Sequence, residues 1–202
     1  MWILYKPIGV DTDMAPGSDL ESLVIARVGR GTHHHVGRLD RDTSGVLILS
    51  ADGDKTHALL NAPTLRKSYI ARVGCSASDL QLEQLVSGVV LTDGLAKAVH
   101  AEVLVEGDPA IRHLFMAANL KAVTSEFYVV RVVTCEGRNR IVRRMLAAVG
   151  LPVLGLHRER FGSCSLGGDS VPGDLRCLSF EEVDALMAAS GSERALPDAL
   201  EL

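Results

Sequence analysis

Residues 36–50 read Val36-Gly37-Arg38-Leu39-Asp40-Arg41-Asp42-Thr43-Ser44-Gly45-Val46-Leu47-Ile48-Leu49-Ser50. The first half is a polar loop with Asp40 between two glycines. The second half is an unbroken apolar run bounded by Gly45 and the Asp52-Gly53 turn. A run without polar alternation predicts a strand buried on both faces. A carboxylate anchored beside such a strand, among hydroxyl and guanidinium groups, suits a reactive group that must be held still. Taken alone, Asp40 reads equally as a turn residue capping backbone amides.

Working outward, residues 2–6 predict a short strand ending at the Pro7-Ile8-Gly9 turn. Ser18 with Glu21 three residues on opens a helix to Ala26, broken by Gly29. Residues 54–61 predict a helix halted by Pro63, and Ser68 to Val73 a strand. Ser76 to Val86 carries Leu82, Leu85 and Val86 on one helical stripe. Strands are predicted over Val99–Val105, Ser125–Thr134, Leu154–Phe161 and Asp174–Leu178. Helices are predicted over Asn139–Val149, stopped by Gly150 and Pro152, and over Phe180–Ala189. Strands and helices intermix without strict alternation. The expected class is α+β, a mixed and largely antiparallel sheet with helices packed against it. One domain over 1–190 and a mobile tail over 191–202 are expected.

The chain has 202 residues, 47% hydrophobic and 23% charged, an ordinary composition for a globular protein. No apolar run approaches the roughly 20 residues of a membrane span. Met1-Trp2-Ile3-Leu4-Tyr5-Lys6-Pro7 lacks the charged start and cleavage site of a signal peptide, so a cytoplasmic location is expected. Cys75, Cys135, Cys164 and Cys177 are scattered, which predicts reduced, mostly buried thiols rather than disulfides or zinc. Three consecutive loop residues, His33-His34-His35, rarely converge on one ion, and no metal site is assigned. There is no G-x-x-x-x-G-K-[ST] and no G-x-G-x-x-G after a strand, so no nucleotide cofactor is expected.

Formal net charge is −4, yet Arg131, Arg138, Arg140, Arg143, Arg144, Arg158 and Arg160 fall between positions 131 and 160. Acidic residues gather towards the C-terminus. A local basic face is what contact with a phosphate backbone needs, and the preference for Arg over Lys favours RNA. A solvated charged face gives the same pattern.

Four segments, in order, carry a family resemblance. Val36–Ser50 resembles the GRLD-x-x-TSG signature of the pseudouridine synthases, in the branch that modifies ribosomal RNA. Tyr5-Lys6-Pro7-Ile8-Gly9-Val10 resembles that branch's K-P-x-G motif, and Lys67-Ser68-Tyr69 its K-x-Y motif. Glu136-Gly137-Arg138-Asn139-Arg140-Ile141-Val142-Arg143-Arg144-Met145 resembles its E-G-R-N-x-Q-V-R-R-M motif. The resemblance runs from residue 3 to about residue 178. With Lys6-Pro7 so near the start, no N-terminal RNA-binding domain is expected. That feature and Asn139-Arg140, where many relatives have Asn-His or Tyr-His, point to the member acting on large-subunit rRNA near the peptidyl-transferase centre.

The resemblance implies a long curved mixed sheet with a central active-site cleft, acting as a monomer on ribosomal RNA, or on tRNA. It implies Asp40 as the catalytic carboxylate, attacking or stabilising C1′ as the N1–C1′ bond opens. A cleft closed over a base would push that carboxyl towards neutrality, so a cation is needed beside it. The resemblance gives this role to Arg143. On a helical projection Val142, Met145, Leu146 and Val149 form the buried stripe, Arg143 flanks it, and Arg140 and Arg144 point away, towards phosphate contact. Tyr69 is implied to stack on the extruded uracil and help move a proton; as plain sequence it is an ordinary strand aromatic. Arg38 is expected to bind phosphate or to hold the position of the flipped-out nucleotide; as plain sequence it is a loop ion pair with Asp42. Lys67 and Arg138 are further RNA contacts, and Lys6 supports the loop. Two residues depart from the family pattern. Ile141 stands where Gln is usual, at the edge of the stripe, and Tyr5 replaces the commoner Asn.

Overall fold

The computed structural model describes residues 1–117 and 127–191. The tail expected over 191–202 lies outside them from residue 192, as do the first two residues of the strand expected from Ser125. Among the described residues, nine strands form the main sheet. Its order runs from β11 (Leu175–Cys177) through β1 (Trp2–Lys6), β3 (Thr43–Ser50), β9 (Val153–Phe161), β4 (Lys67–Val73) and β8 (Tyr128–Thr134) to β7 (His100–Leu104). Strand β2 (His34–Val36) pairs with β3, and β10 (Cys164–Ser165) with β9. Every pairing in this sheet is antiparallel except β3 with β9. The described residues form six helices: α1 (Asp19–Val28), α2 (Gly53–Leu60), α3 (Asp79–Ser87), α4 (Pro109–Ala117), α5 (Ile141–Ala148) and α6 (Phe180–Ala189). This is the mixed, mostly antiparallel α+β architecture the sequence predicts. None of these helices is long and apolar enough to cross a membrane.

The apolar run is the middle of the molecule. All eight residues of β3 are buried. Leu47 and Leu49 enter one core cluster, Val46 and Ile48 a second on the opposite face. Full burial of each such side chain is worth roughly 1.5–3 kcal/mol. Gly45 begins the run at φ +114°, and a Cβ there would fall 2.2 Å from the carbonyl oxygen of Arg158. Only glycine allows β3 and β9 to run this close.

Capping fixes the helix starts. Ser18 Oγ accepts from the Glu21 amide, Asp52 caps α2, and Ser78–Gln81 and Ser179–Glu182 form capping boxes. The box at Ser78 starts α3 three residues later than its stripe suggests. Leu85 is buried there, Leu82 half-buried, and Val86 exposed. Besides the short strands β2 and β10, two features were not read from sequence. One is the hairpin β5 (Val89–Leu91) and β6 (Gly94–Ala96), turning at Asp93-Gly94. The other is α4, which starts at Pro109 after Asp108, whose Oδ1 accepts from the Ala110 amide at 2.8 Å.

The β4–β9 register slips where it matters. Tyr69 lies opposite Arg158 and Ser68 opposite Arg160, so Glu159 is an extra residue, a bulge. Leu156, Arg158 and Phe161 therefore all line the same cleft, while Glu159 faces the other way, towards Ser68 Oγ at 2.8 Å.

Two expectations are corrected. The cysteines are free, but only Cys164 is buried; Cys75 follows the end of β4 and Cys177 sits on the edge strand, both exposed. His34 and His35 belong to a strand rather than a loop, so their side chains alternate. His33 packs edge-on against Trp2, with ring centroids 5.1 Å apart.

Candidate active site

Asp40 lies in the turn entering β3, where the Thr43 amide donates to its carbonyl at 3.0 Å. The turn is braced by the segment from Lys6 to Thr12. Buried Thr12 donates its hydroxyl to the Leu39 carbonyl at 2.7 Å and accepts from the Leu39 amide at 3.1 Å. The Gly9 amide donates to the Arg41 carbonyl at 2.8 Å. Lys6, fully buried, donates Nζ to the carbonyls of Pro7 and Val10 at 2.8 and 2.6 Å. Burial pushes its pKa down to about 8, against the pull of Asp11, Asp42 and Asp40. Lys6 thus ties off a loop and adds positive charge behind the carboxylates.

The guanidinium closest to Asp40 belongs to Arg140, whose Nη1 is 3.1 Å from Oδ2 and 3.3 Å from Oδ1 of Asp42. Arg143 approaches Asp40 with Nε at 4.0 Å, while its Nη2 bonds the Asp42 carboxylate at 3.1 Å, the Asp42 carbonyl at 3.0 Å and Thr43 Oγ1 at 3.3 Å. This corrects the helical projection, which sent Arg140 away from the cleft. Arg140 is the N-cap of α5 with φ 49° and ψ 31°, so it does not follow the helical wheel and folds back over Asp40. Burial lowers the pKa of Arg143, opposed by the charge of Asp42. Asp42 is pushed up by burial, yet the hydrogen bond from Arg140 and the charge of Arg143 outweigh this and hold it below the usual carboxylate range.

The anchor under these arginines is the buried stripe Ile141, Val142, Met145 and Leu146. Ile141 is inside that stripe rather than at its edge, and Val149 is the half-buried C-cap. Tyr5, the other departure, is fully buried and donates its hydroxyl to the His113 carbonyl at 2.8 Å.

Two adjoining hollows meet at Asp40. An inner cleft of about 170 Å³ is lined by Asp40, Tyr69, Lys67, Leu156, Arg158 and Phe161, with Ile141 and Val142 from α5. An outer groove of about 840 Å³ carries Arg38, Arg41, Asp42 and Asn139. Arg38, Asp40, Arg138 and Arg140 border both. Tyr69 is 8% exposed, its ring forming a wall of the inner cleft.

The expected basic face is not one face. Arg131 is enclosed by Glu102, Glu159 and Asp108. Arg138 binds Glu136, Asp93 and the Leu95 carbonyl; Arg144 binds Asp93. Both tie α5 and the loop before it to the β5–β6 hairpin. Arg160 is exposed. Arg38 makes no hydrogen bond or ion pair among the described residues and stays exposed at the mouth of both hollows; Asp42, its expected loop partner, is taken by Arg140 and Arg143. Lys67 is half-buried, with Nζ donating to the Cys135 carbonyl at 3.0 Å.

Sequence reasoning missed Thr12 and the role of Arg158. Arg158 is 2% exposed, lies in the inner cleft, and donates Nε to the Val46 carbonyl at 2.7 Å. The signal was an arginine two residues after Leu156, on the same face by strand alternation, but set in the polar run His157-Arg158-Glu159-Arg160, which reads as a solvated edge.

Known proteins resemble this chain in sequence and in fold. The family model described as RNA pseudouridylate synthase matches residues 1–148. The chain is 36% identical to an "Uncharacterized RNA pseudouridine synthase" of Mycobacterium tuberculosis H37Rv, covering 93% of this chain and 69% of that one. It is 34% identical to "Ribosomal small subunit pseudouridine synthase A" of Escherichia coli K12, over 76% of this chain and 59% of the relative. It is also 34% identical to "Ribosomal large subunit pseudouridine synthase B" of Xanthomonas campestris, over 83% and 32%. A crystal structure of a pseudouridylate synthase superposes with a TM-score of 0.72 at 25% identity, over 92% of this chain and 72% of that one. With most of its length matched in sequence and nearly all of it in fold, the chain belongs to the RNA pseudouridylate synthase family.

Proposed function

We propose that this protein converts a specific uridine of ribosomal RNA to pseudouridine, with Asp40 as the catalytic carboxylate. The observation that carries the reading is the position of Asp40 at the junction of a base-sized inner cleft and a wider outer groove. A flipped-out nucleotide would put its base in the first and its backbone along the second, which leaves the sugar C1′ at the boundary. A carboxylate there meets the atom whose bond must open. Arg140 and Arg143 place positive charge 3.1 and 4.0 Å from it. Tyr69 stacks on the extruded base and assists proton movement, and Arg38, exposed at the rim, takes a phosphate. Lys67, Arg138, Arg140 and Arg144 are the remaining candidates for RNA contact. Arg138 and Arg144 would have to do so around the hold of Asp93.

The finer reading is a large-subunit target near the peptidyl-transferase centre, acted on in the cytoplasm by a monomer whose catalytic domain spans 1–190. It rests on Asn139-Arg140. Relatives named for both ribosomal subunits keep the small subunit as the competing target. Pseudouridine mapping of both rRNAs and of tRNA, in strains with and without the gene, tests the proposal. One large-subunit position should lose its pseudouridine on deletion. Loss at a tRNA position alone, or at none, overturns the rRNA assignment.

A further inference from the structure

Arg158 is the most deeply buried cation in the cleft, and the charges around it do not balance. Its Nε is satisfied by Val46, but Nη2 is buried without a hydrogen-bond partner, and no carboxylate lies within ion-pair distance among the described residues. The guanidinium carbon stands 5.1 Å from the centre of the Phe161 ring, and Lys67 Nζ stands 5.9 Å from the same ring. Lys67 too binds only a carbonyl. Burial, followed by the charge of Arg158, lowers the pKa of Lys67. Elsewhere the fold matches its inward arginines with acid, as it does Arg131 with three carboxylates. A buried, half-satisfied cation is costly and persists where something else completes it.

We propose that Arg158, seconded by Lys67, is a further catalytic residue: it receives the carbonyl edge of the extruded uracil and stabilises the ring as an anion once the glycosidic bond opens. The proposal rests on the reading of this chain as an active pseudouridine synthase. A base fits the place better than a phosphate does. Both cations line the inner cleft and neither lines the outer groove. A phosphate, with chain on both sides, cannot follow into a space of about 170 Å³, whereas a cavity of about 150 Å³ already admits a benzene ring.

The electron count calls for such a group. When N1–C1′ breaks, its electron pair stays on the uracil and spreads over N1 and the two carbonyl oxygens. Asp40 meets the electron deficiency left at the sugar. The ring turns, a ring electron pair forms the C5–C1′ bond, the C5 proton leaves, and N1 gains one. No atom is gained or lost overall. While it turns, the uracil has no covalent tether, and a cation on the cleft wall both retains it and carries its charge.

The test uses the full chain in single-turnover reactions on an unmodified rRNA transcript that the wild-type protein modifies. Arg158→Met should bind that RNA within about twofold of wild type yet react about 10²-fold or more slowly, the scale of a lost oxyanion donor. Arg158→Lys, with charge but no fork, should fall between. Transcripts with 2-thiouridine or 4-thiouridine at the target replace one carbonyl by a weak acceptor. On the one bearing sulfur at the contacted position, the ratio between wild type and Arg158→Met should shrink. Should Arg158→Met fail to fold, Arg158→Lys on the same RNAs reads the same ratio. A variant as fast as wild type, one that loses affinity in step with rate, or a ratio unchanged on both thio transcripts overturns the proposal. A wild-type protein inactive on every rRNA and tRNA transcript overturns instead the reading beneath it, and the proposal with it.

Discussion

Strands β4 and β9 have two sides built on opposite rules. On one, Tyr69, Lys67, Leu156 and Arg158 line a cleft in which two cations lack acidic partners. On the other, Ser68 donates to Glu159, Glu159 pairs with Arg131, and Arg131 also reaches Glu102 and Asp108. On that side too His157 accepts or donates a hydrogen bond with Ser44 Oγ at 2.9 Å and stacks on His113, ring centroids 5.7 Å apart. On the matched side the buried arginine is closed off by carboxylates. The unmatched side retains interaction capacity that folding did not consume. In one sheet, incompleteness of charge therefore separates the surface that acts from the surface that only holds.

This contrast can be broken experimentally. On the acting side, Asp40→Asn should reduce pseudouridine formation by more than about 10³-fold, because the group that meets C1′ is gone. Single-turnover rates with a filter-binding Kd check it; RNA affinity and the melting temperature should stay near wild type. Next, Arg143→Met should cost about 10²-fold in rate and Arg140→Ala about tenfold, since Arg143 is largely buried against Asp42 and Thr43 while Arg140 is more exposed. The reverse order would make Arg140 the essential partner. On the holding side, Arg131→Met should leave the rate alone and lower stability by about 1–2 kcal/mol, a figure reduced for solvent screening; denaturant melts with activity assays separate the two. A rate loss there would erase the contrast.

The last effect concerns acid. Burial first, then the charges of His113 and Arg158, push the His157 pKa down to about 3, from the ordinary histidine value of 6.5. The folded value lies below the unfolded one, so this group's contribution is complete above pH 6.5 and is lost as pH falls towards 3. Wild type should lose about 1.4 kcal/mol per pH unit from this source within that window. His157→Asn should flatten the slope, and equal slopes in urea melts across it would refute the claim.

Much of the frame could be read from residues. The run from Gly45 to Ser50 announced a strand covered on both sides, and serine and aspartate caps set the start of four helices. Asp93-Gly94 and Asp108-Pro109 were legible signals for the β5–β6 hairpin and for α4 that periodicity alone passed over. Other features had no local signature. Strand order is set by distant pairing, so the parallel union of β3 with β9 could not be foreseen. The direction of Arg140 depends on a left-handed backbone that helical projection assumes away. The seven clustered arginines were close in sequence, yet the acids that divide them, Asp93, Glu102 and Asp108, lie in earlier segments.

The extra residue at Glu159 has a consequence for how this enzyme can vary. A strand has only two orientations, so one inserted position acts as a change of parity for everything after it. Strict alternation through Glu159 would turn Phe161 out of the hollow and Arg160 into it; the bulge absorbs the extra position and keeps Phe161 opposite Lys67. Point substitutions can adjust the recess one group at a time. Loss of the bulge with the residue kept would exchange an aromatic surface for a third cation, whereas loss of Glu159 itself would spare the hollow and take away an acid that holds Arg131, so the length of the segment constrains the chemistry as tightly as its letters do.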